Sequence, residues 1–530
     1  MIRINNIRLT LDESEDLLLE KIAKRCHTNP LNILNYKIVR KSIDARKDDI
    51  KIIYTLDVQT KKDKYLIKTR KLAQSDVMPY KYPIKGEKAL KGRPTIIGAG
   101  PCGLFTALIL AEMGYQPLII ERGKPVEIRI QDVENFWNHR ILNLNSNVQF
   151  GEGGAGTFSD GKLTTQIKNV RCRKVLEEFI KFGAPDNILY KNKPHIGTDL
   201  LRNVIIEMRK EIERLGGTFR FNTKLIDLNI INNKLQSITV ESLLDNTTED
   251  IPTTVCVLAL GHSARDTFKM LKDTPLKMEQ KIFSMGIRIE HLQEWINSSQ
   301  YGQYYPHPNL DVADYKLVYD AGDNRKVYSF CMCPGGYVVG ASSESEKVAT
   351  NGMSYYSRDG QNANSALLIN ITKEDLKSDD VLEGIYLQEK LESLAFDIAG
   401  KNYNAPIQRV EDFLNNVPTV EVGIVKPTYK PNVTMVNLRK YLPDDIATIL
   451  SDAIVHFGKI IENFDHKDAI ITGFETRSSS PIKIVRDSNF ESNIKGIYPA
   501  GEGAGYAGGI MSAAVDGIQI AEKIVSEFLF

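Results

Sequence analysis

The sequence predicts an α/β fold built as a discontinuous Rossmann-like domain, with an inserted α+β domain and a small N-terminal α+β module. Three observations predict it. A buried strand at Thr95–Ile97, a glycine turn, a helix and a second apolar strand at 117–120 form a β-α-β unit. A fully apolar run, Val255–Leu260, is closed by Gly261 as a buried parallel strand would be. A last strand, 496–500, a glycine-dense loop and a helix over 510–528 complete the chain.

The elements follow in order. Ile2–Leu9 reads as a strand, and Leu18, Leu19, Ile22 and Ala23 recur at helical spacing behind Asp12, Glu13, Glu15 and Asp16, acids that suit a helix N-terminus. A second strand, Ile50–Val58, follows Asp48 and Asp49, and residues 81–94 read as a linker. The glycine-turn helix is expected at Leu104–Met113. A longer amphipathic helix is expected at Thr198–Leu215, capped by the threonine and ended by Gly216–Gly217. Strands are expected at 218–230 and 235–240. Residues 270–480 alternate short strands with Gly, Pro and Asn turns, interrupted by helices at 382–399 and 443–463. The expected divisions are 1–91 for the module, 92–266 and 474–530 for the two parts of the Rossmann-like domain, and 267–473 for the insert.

Composition narrows the function classes. With 530 residues, 42% hydrophobic and 25% charged, the chain is ordinary globular protein. No apolar run approaches the ~18 residues of a membrane span, and the N-terminal residues lack a signal-peptide pattern. Six scattered cysteines, without a C-x-x-C pair, suggest neither a disulfide framework nor a thiolate zinc site, so no metal is expected and the thiols are expected reduced in a cytoplasmic protein. The net charge of +1 is uneven: 21 Lys/Arg against 12 Asp/Glu put +9 on the first 91 residues and leave −8 on residues 92–530. This balance argues against nucleic-acid binding along the whole surface.

A G-x-G-x-x-G pattern occurs three times, so context must decide among them. Only Gly98-Ala99-Gly100-Pro101-Cys102-Gly103 has a strand before it, a helix after it and an acid at the end of the next strand, Glu121. There Gly98 permits a tight turn, Gly100 admits a pyrophosphate, and Gly103 lets helix and strand pack. The helix N-terminus offers unpaired N–H groups to phosphate, and Glu121 is placed to accept the ribose hydroxyls. Gly151–Gly156 reads on its own as a loop. Gly503–Gly508 has too little chain after it for an independent dinucleotide domain.

This layout, with Glu121-Arg122-Gly123, the strand ending at Gly261, and 496–502, resembles the FAD-binding oxidoreductases of the glutathione-reductase-like superfamily. More narrowly, the stretches 150–163, 261–266, 330–336, 351–354, 474–481 and 502–510 resemble a bacterial family of little-characterised FAD-dependent dehydrogenases, from about Ile38 onward. The resemblance implies that Gly98, Gly100, Pro101, Cys102 and Gly103 cradle the FAD pyrophosphate, with Glu121 and Arg122 at the adenosine side. It implies that Gly153, Gly154, Ala155, Gly156 and Thr157 line the pyrophosphate's other side, that the Leu225 backbone meets the adenine, and that Gly261 closes the returning strand. Gly501 and Glu502 would meet the ribityl chain, where Glu is one methylene longer than the Asp of related groups, a difference that a water can bridge. Gly508, Gly509 and Ile510 would start a helix beneath the isoalloxazine, whose reduced form carries negative charge that a helix N-terminus stabilises.

Further candidates stay open at this stage. Cys331 and Cys333 read either as a dithiol, which would need a bend at Pro334-Gly335-Gly336, or as small buried apolar groups. The Cys102 side chain, inside the phosphate loop, is expected to pack there and to have no redox role. The stretch 124–150, where the pair of disulfide reductases would lie, holds no cysteine. His262 is placed to contact flavin or to pack, Glu475 and Arg477 to face the reaction or to form an ion pair, and His195 to be structural. No general base is named. The basic module can serve nucleic acid, an acidic partner or cofactor phosphates, or form a solvated or docked face; within it Arg40-Lys41 and Arg46-Lys47 flank Ser42-Ile43-Asp44, a stretch that resembles the family's N-terminal signature. The function expected is an FAD-dependent oxidoreductase, with NAD(P)H as a reductant or the substrate itself reducing the flavin. The alternatives are an RNA-modifying flavoprotein using the basic module and a non-catalytic binding or regulatory protein on the same fold. Substrate, acceptor and oligomeric state are not in the sequence.

Overall fold

The computed structural model describes residues 1–46, 49–69, 72–75 and 78–530, and residue 70 by its backbone alone. Lys47 of the basic module and Asp48 before its second strand lie outside them. The N-terminal module is a four-stranded sheet in the order Ile33–Asp44, Lys51–Thr60, Ile2–Thr10, Ala73–Gln74. Its helix, Leu18–Cys26, buries Leu18, Ile22, Ala23 and Cys26. Leu19, expected on that face, is 37% exposed. At 100° per residue it points away from a stripe set by positions 18, 22 and 26.

The module docks on the body through main-chain bonds. The Lys41 amide donates to the Tyr190 carbonyl at 2.7 Å, and the Asn192 amide to the Lys41 carbonyl at 2.9 Å. The expected linker is likewise seated. Lys88–Ala89 pairs in parallel with Phe528–Leu529, and the Gly86 amide donates to the Val525 carbonyl at 2.9 Å.

The Rossmann-like domain is a five-stranded, all-parallel sheet in the order Ile497–Pro499, Cys256–Leu258, Thr95–Ile97, Leu118–Ile120, Thr218–Arg220. Pieces far apart in the chain thus become neighbours in one sheet. The helix Pro101–Glu112 is apolar almost all round and buried over nearly its whole length, as a helix between sheet and second layer must be. The C-terminal helix, Ile510–Glu527, lies against it. A Cβ at Gly517 would meet the Cys102 carbonyl at 2.2 Å, so glycine there sets how closely the two helices approach.

Two sequence expectations are corrected. The strand expected over 218–230 is two strands. Thr218–Arg220 joins the parallel sheet, whereas Thr223–Ile231 pairs with Lys234–Ser242 in a separate three-stranded sheet, the chain turning at Asn222 with φ 50°. Thr198 is no cap: the helix runs Gly197–Arg214, and the Thr198 hydroxyl donates to the Thr157 carbonyl at 2.8 Å. The helix already begins at Gly197, so Thr198 stands inside its first turn and not at the N-cap, and its hydroxyl hydrogen goes to a tertiary carbonyl.

The insert is organised by a seven-stranded sheet in the order Val318–Gly322, Arg325–Cys333, Asn362–Ile371, Phe283–Leu292, Ile470–Glu475, Ala405–Arg409, Val433–Met435. Helices Glu383–Ile398 and Asp444–Gly458 contribute to its apolar core, which includes Ile287, Leu367, Ala395, Phe457 and Ile471. After strand Ile470–Glu475 the chain passes through Ile482–Ile484, which pairs with Met278–Gln280, and re-enters the parallel sheet at Ile497–Pro499. Among the described residues, no helix is long and apolar enough to cross a membrane.

Candidate functional site

The two sheets enclose a cleft of about 760 Å³. One end is formed by the parallel sheet's glycine turn. Gly98, Gly100, Pro101 and Cys102 line it, and Gly103 does not. Gly103 has the packing duty expected of it, because a Cβ there would lie 1.9 Å from the Gly98 carbonyl oxygen. Gly98 needs its glycine too, with φ 104° and the Ala259 carbonyl oxygen 2.3 Å from where a Cβ would stand. Gly100 differs from both: the nearest atom to its Cβ position is Gly154 Cα at 3.8 Å, so the space it leaves belongs to the cleft. The Cys102 thiol is held well above its ordinary range by burial and stays protonated.

Glu121 and Arg122 line the same end. The Glu121 carboxylate accepts three backbone amides, from Ala99 at 2.8 Å, Gly123 at 2.9 Å and Gly151 at 3.0 Å. It therefore ties together three loops, a duty that its spacing from Gly98 does not announce. Arg122 pairs with Asp266 at 2.8 Å and lies over the Phe150 ring.

The second glycine segment faces the first. Gly154, Ala155 and Gly156 line the cleft, while Gly153 and Thr157 sit behind it, Gly153 with φ 82° packed against Thr157 and Ile205. This loop is organised by a residue that no sequence motif marks. Arg129, fully buried on the helix Val126–His139, donates to the carbonyls of Asn147, Val148, Gly151, Glu152 and Gly154 at 2.6–3.2 Å. Burial lowers its guanidinium to about 9, still charged at neutral pH. Glu152, behind the loop, accepts the Val126 amide at 2.8 Å and is pushed up to about 7 by burial.

Leu225, Gly261, Gly501, Glu502, Gly508, Gly509 and Ile510 complete the wall on the Rossmann side. A Cβ at Gly508 or Gly509 would meet nothing within 4 Å. The Gly501 amide is fixed by Asp516 at 2.8 Å, itself paired with Arg486 at 2.6 Å. Burial pushes the Glu502 carboxyl up to about 7 against the pull of Lys281.

The far end is walled by the insert's seven-stranded sheet, whose strand Ile470–Glu475 runs two residues past 473, and by the residues that follow it. Glu475 and Arg477 both line the cleft, and they pair elsewhere rather than with each other. Glu475 receives Arg288 on both oxygens at 3.0 Å and is pushed up to about 7 by burial. Arg477 joins a buried cluster in which Glu392 holds both Arg477 and Arg265 at 2.7 Å. His262 also lines the cleft, with Nδ1 3.1 Å from the Ser263 hydroxyl; burial first, then Arg477 and Arg265, lowers it to about 3, so it is a neutral imidazole. His195 sits outside the cleft lining, its Nε2 3.1 Å from the Tyr356 carbonyl, as a structural role requires.

Asp160, Lys162 and Arg358 are cleft residues that sequence reasoning does not single out. Asp160 pairs with Arg358 at 2.5 Å and stands 3.6 Å from Lys162. Cys331 lines the cleft beside them, and Cys333 is buried behind it; both thiols are free. The strand that carries the two cysteines is not regular, its register slipping between Phe330 and Cys333.

Residues 282–478 match the family described as FAD-dependent protein, C-terminal domain-like, and residues 1–59 match a domain family of unknown function. Distant likenesses among solved structures include a Bacillus halodurans glycerol-3-phosphate dehydrogenase complexed with FAD (16% identity, TM-score 0.26, 51% of this chain and 49% of that one). They also include an E. coli quinol fumarate reductase (10%, TM-score 0.37, 83% and 70%) and a flavoprotein/dehydrogenase from Cytophaga hutchinsonii (11%, TM-score 0.35, 81% and 76%). Overlays this loose transfer no residue roles. A Clostridium beijerinckii protein, described as uncharacterized, is 47% identical over 533 residues, covering 99% of both chains. The chain belongs to the family of that Clostridium protein, and it carries within it the C-terminal-like domain of FAD-dependent proteins.

Proposed function

We propose that the protein is an FAD-dependent oxidoreductase that passes electrons between a small-molecule donor or NAD(P)H and a separate acceptor. The observation that carries this reading is convergence: glycine segments at 98–103, 151–156 and 501–510 wall one cleft, two helices start at it, and it ends among buried ionisable groups of the insert. The match of residues 282–478 to FAD-dependent proteins supports the same cofactor.

The residues suit that group. The first amides of the helices Pro101–Glu112 and Ile510–Glu527 have no intrahelical acceptor and carry partial positive charge. Gly100, Gly508 and Gly509 leave open the space that a Cβ would take. In this reading Gly98, Gly100 and Gly103 form the pyrophosphate turn, Glu121 and Leu225 mark the adenosine end, and Glu502 meets the ribityl chain. Gly508, Gly509 and Ile510 then set the helix start under the flavin ring. Bound FAD would supply the two-electron chemistry. The chain's part is to orient it, exclude water, and hold a proton on Glu502, whose carboxyl burial pushes up to about 7.

The visible spectrum of the purified full-length protein tests this. A yellow protein that releases FAD on denaturation is expected, and anaerobic bleaching by NADH or NADPH would identify the reductant. A colourless protein that refuses added FAD overturns the reading.

A further inference from the structure

Two cysteines approach the deep end of the cleft from the insert. They close the strand Arg325–Cys333, whose partner is Asn362–Ile371. In a regular strand, residues i and i+2 hold their Cα atoms about 6.5–7 Å apart, at the far limit for a disulfide. That spacing does not apply here. The register slips between Phe330 and Cys333, and Cys331 takes φ 45°, a backbone conformation uncommon for a residue with a Cβ and concentrated at functional positions.

The surroundings are those of a reactive pair rather than of inert apolar filler. Cys331 lines the cleft; Cys333 is buried behind it, its Sγ 3.2 Å from the Cys331 carbonyl oxygen. Arg288 spans the site, donating to the Cys331 carbonyl at 2.9 Å, lying 3.8 Å from the Cys333 sulfur, and holding Glu475 at 3.0 Å. Lys162 brings a buried ammonium, without a hydrogen-bond partner among the described residues, that pairs with Asp160 at 3.6 Å. Asp160 is shared with Arg358, so two cations face one carboxylate beside the cysteines. The Cys333 thiol, Lys162 and Arg288 together draw the Cys331 thiol down, while Cys333 is driven up. Of the two sulfurs, Cys331 is thus the one drawn toward thiolate and Cys333 the one drawn toward thiol, the asymmetry that thiol–disulfide chemistry uses.

We propose that Cys331 and Cys333 form a dithiol–disulfide couple that exchanges two electrons with the flavin at the cleft, an inference that rests on the flavin reading above. In the oxidising direction, the Cys331 thiolate and the Cys333 thiol join in an S–S bond, and the pair loses two electrons and the one proton of Cys333. The two electrons and that proton pass to the oxidised flavin, which becomes its singly charged reduced form. In the reverse direction the reduced flavin returns two electrons and a proton, the S–S bond breaks, and Cys331 is left as thiolate with Cys333 protonated. The pair thereby gives the cleft a second two-electron store, placed in the insert and not after the first β-α-β unit.

Anaerobic dithionite titration of the full-length, air-oxidised flavoprotein tests this, together with mass analysis of the peptide carrying both cysteines. The wild type should take up four electrons per flavin, and Cys331→Ser and Cys333→Ser two each. Cys172→Ser, outside the cleft lining, should still take four. In the pre-reduced wild type, glutathione disulfide should make that peptide lighter by two hydrogens, and reductant should reverse it. Uptake of only two electrons by the yellow wild type, with both thiols unmodified, overturns the couple and leaves the flavin reading standing. A colourless protein that refuses FAD overturns the flavin reading, and the exchange with it, whatever the mass of the peptide.

Discussion

Glu121 Oε2 accepts the Ala99 amide at 2.8 Å, inside the glycine turn that the same glutamate was expected to serve only through a ligand. Its other oxygen takes the amides of Gly123 and Gly151. Glu121→Ala leaves three buried donors without partners, at a cost of about 3–5 kcal/mol. The flavin-free variant should melt earlier than the flavin-free wild type, and flavin retention should fall with it. Unchanged melting would remove the clamp, and unchanged flavin content would remove the cofactor assignment.

Gly100 permits the complementary experiment, because its Cβ position faces the cleft and touches no protein atom closer than 3.8 Å. Its φ of −77° is open to any residue. Gly100→Ala should therefore leave the melting of the flavin-free protein within about 0.5 kcal/mol of wild type and lower retention of FAD. Gly103→Ala should instead fail at folding, since its Cβ meets the Gly98 carbonyl.

Arg129 satisfies five main-chain carbonyls with one planar guanidinium. A lysine has three donors on a single atom and cannot span them. Arg129→Lys should cost about 3 kcal/mol in urea unfolding. It should also speed proteolysis in the stretch 143–156, whose carbonyls the arginine gathers. Equal protease resistance would show that the loop holds itself.

Glu502 carries a pH signature. Burial raises its carboxyl from 4.5 to about 7, so the folded state binds a proton that the unfolded state has released. Its contribution is complete below about pH 4.5, declines as pH rises through about 7, and is lost above. Glu502→Gln removes that decline. The flavin-free variant should gain on wild type by on the order of 2–3 kcal/mol between pH 4.5 and 8, read as a difference in thermal midpoint. A difference that does not change with pH would contradict the buried, proton-holding carboxyl.

Glu392 holds two buried arginines, and its carboxyl is drawn far below the usual range by Arg265 and Arg477 against the cost of burial. Its contribution is present above the unfolded value of 4.5 and is lost as pH falls toward the folded one. Glu392→Ala leaves both buried guanidiniums with Glu344 as their remaining carboxylate and should still cost about 3 kcal/mol. Arg477→Met, which leaves Glu392 with Arg265, should cost clearly less. Equal losses in equilibrium unfolding would mean that the cluster does not act through Glu392.

Much of the Rossmann-like half was legible because its signals are local. A tight turn needs glycine at Gly98, close helix–strand packing needs it at Gly103, and a buried parallel strand reads as an apolar run such as Val255–Leu260. Each of these is a property of a few consecutive residues, and each appears where those residues sit. Thr198 shows the limit of such signals. It has the side chain of a cap, and yet the helix starts one residue before it, at Gly197, and its hydroxyl donates to the Thr157 carbonyl that the fold brings there.

The sequence by itself determined the parallel-sheet unit, the order in which its three pieces recur, and the glycine segments of the cleft. The tertiary structure alone decided which ionisable groups stand at the cleft's deep end and what each one holds. Arg288 and Glu475 lie 187 positions apart, Arg358 and Asp160 198. Arg129 takes backbone carbonyls, which every residue possesses and no sequence marks. Charge pairing depends on distance in space, and chain spacing encodes that distance only within a turn of helix or across a hairpin.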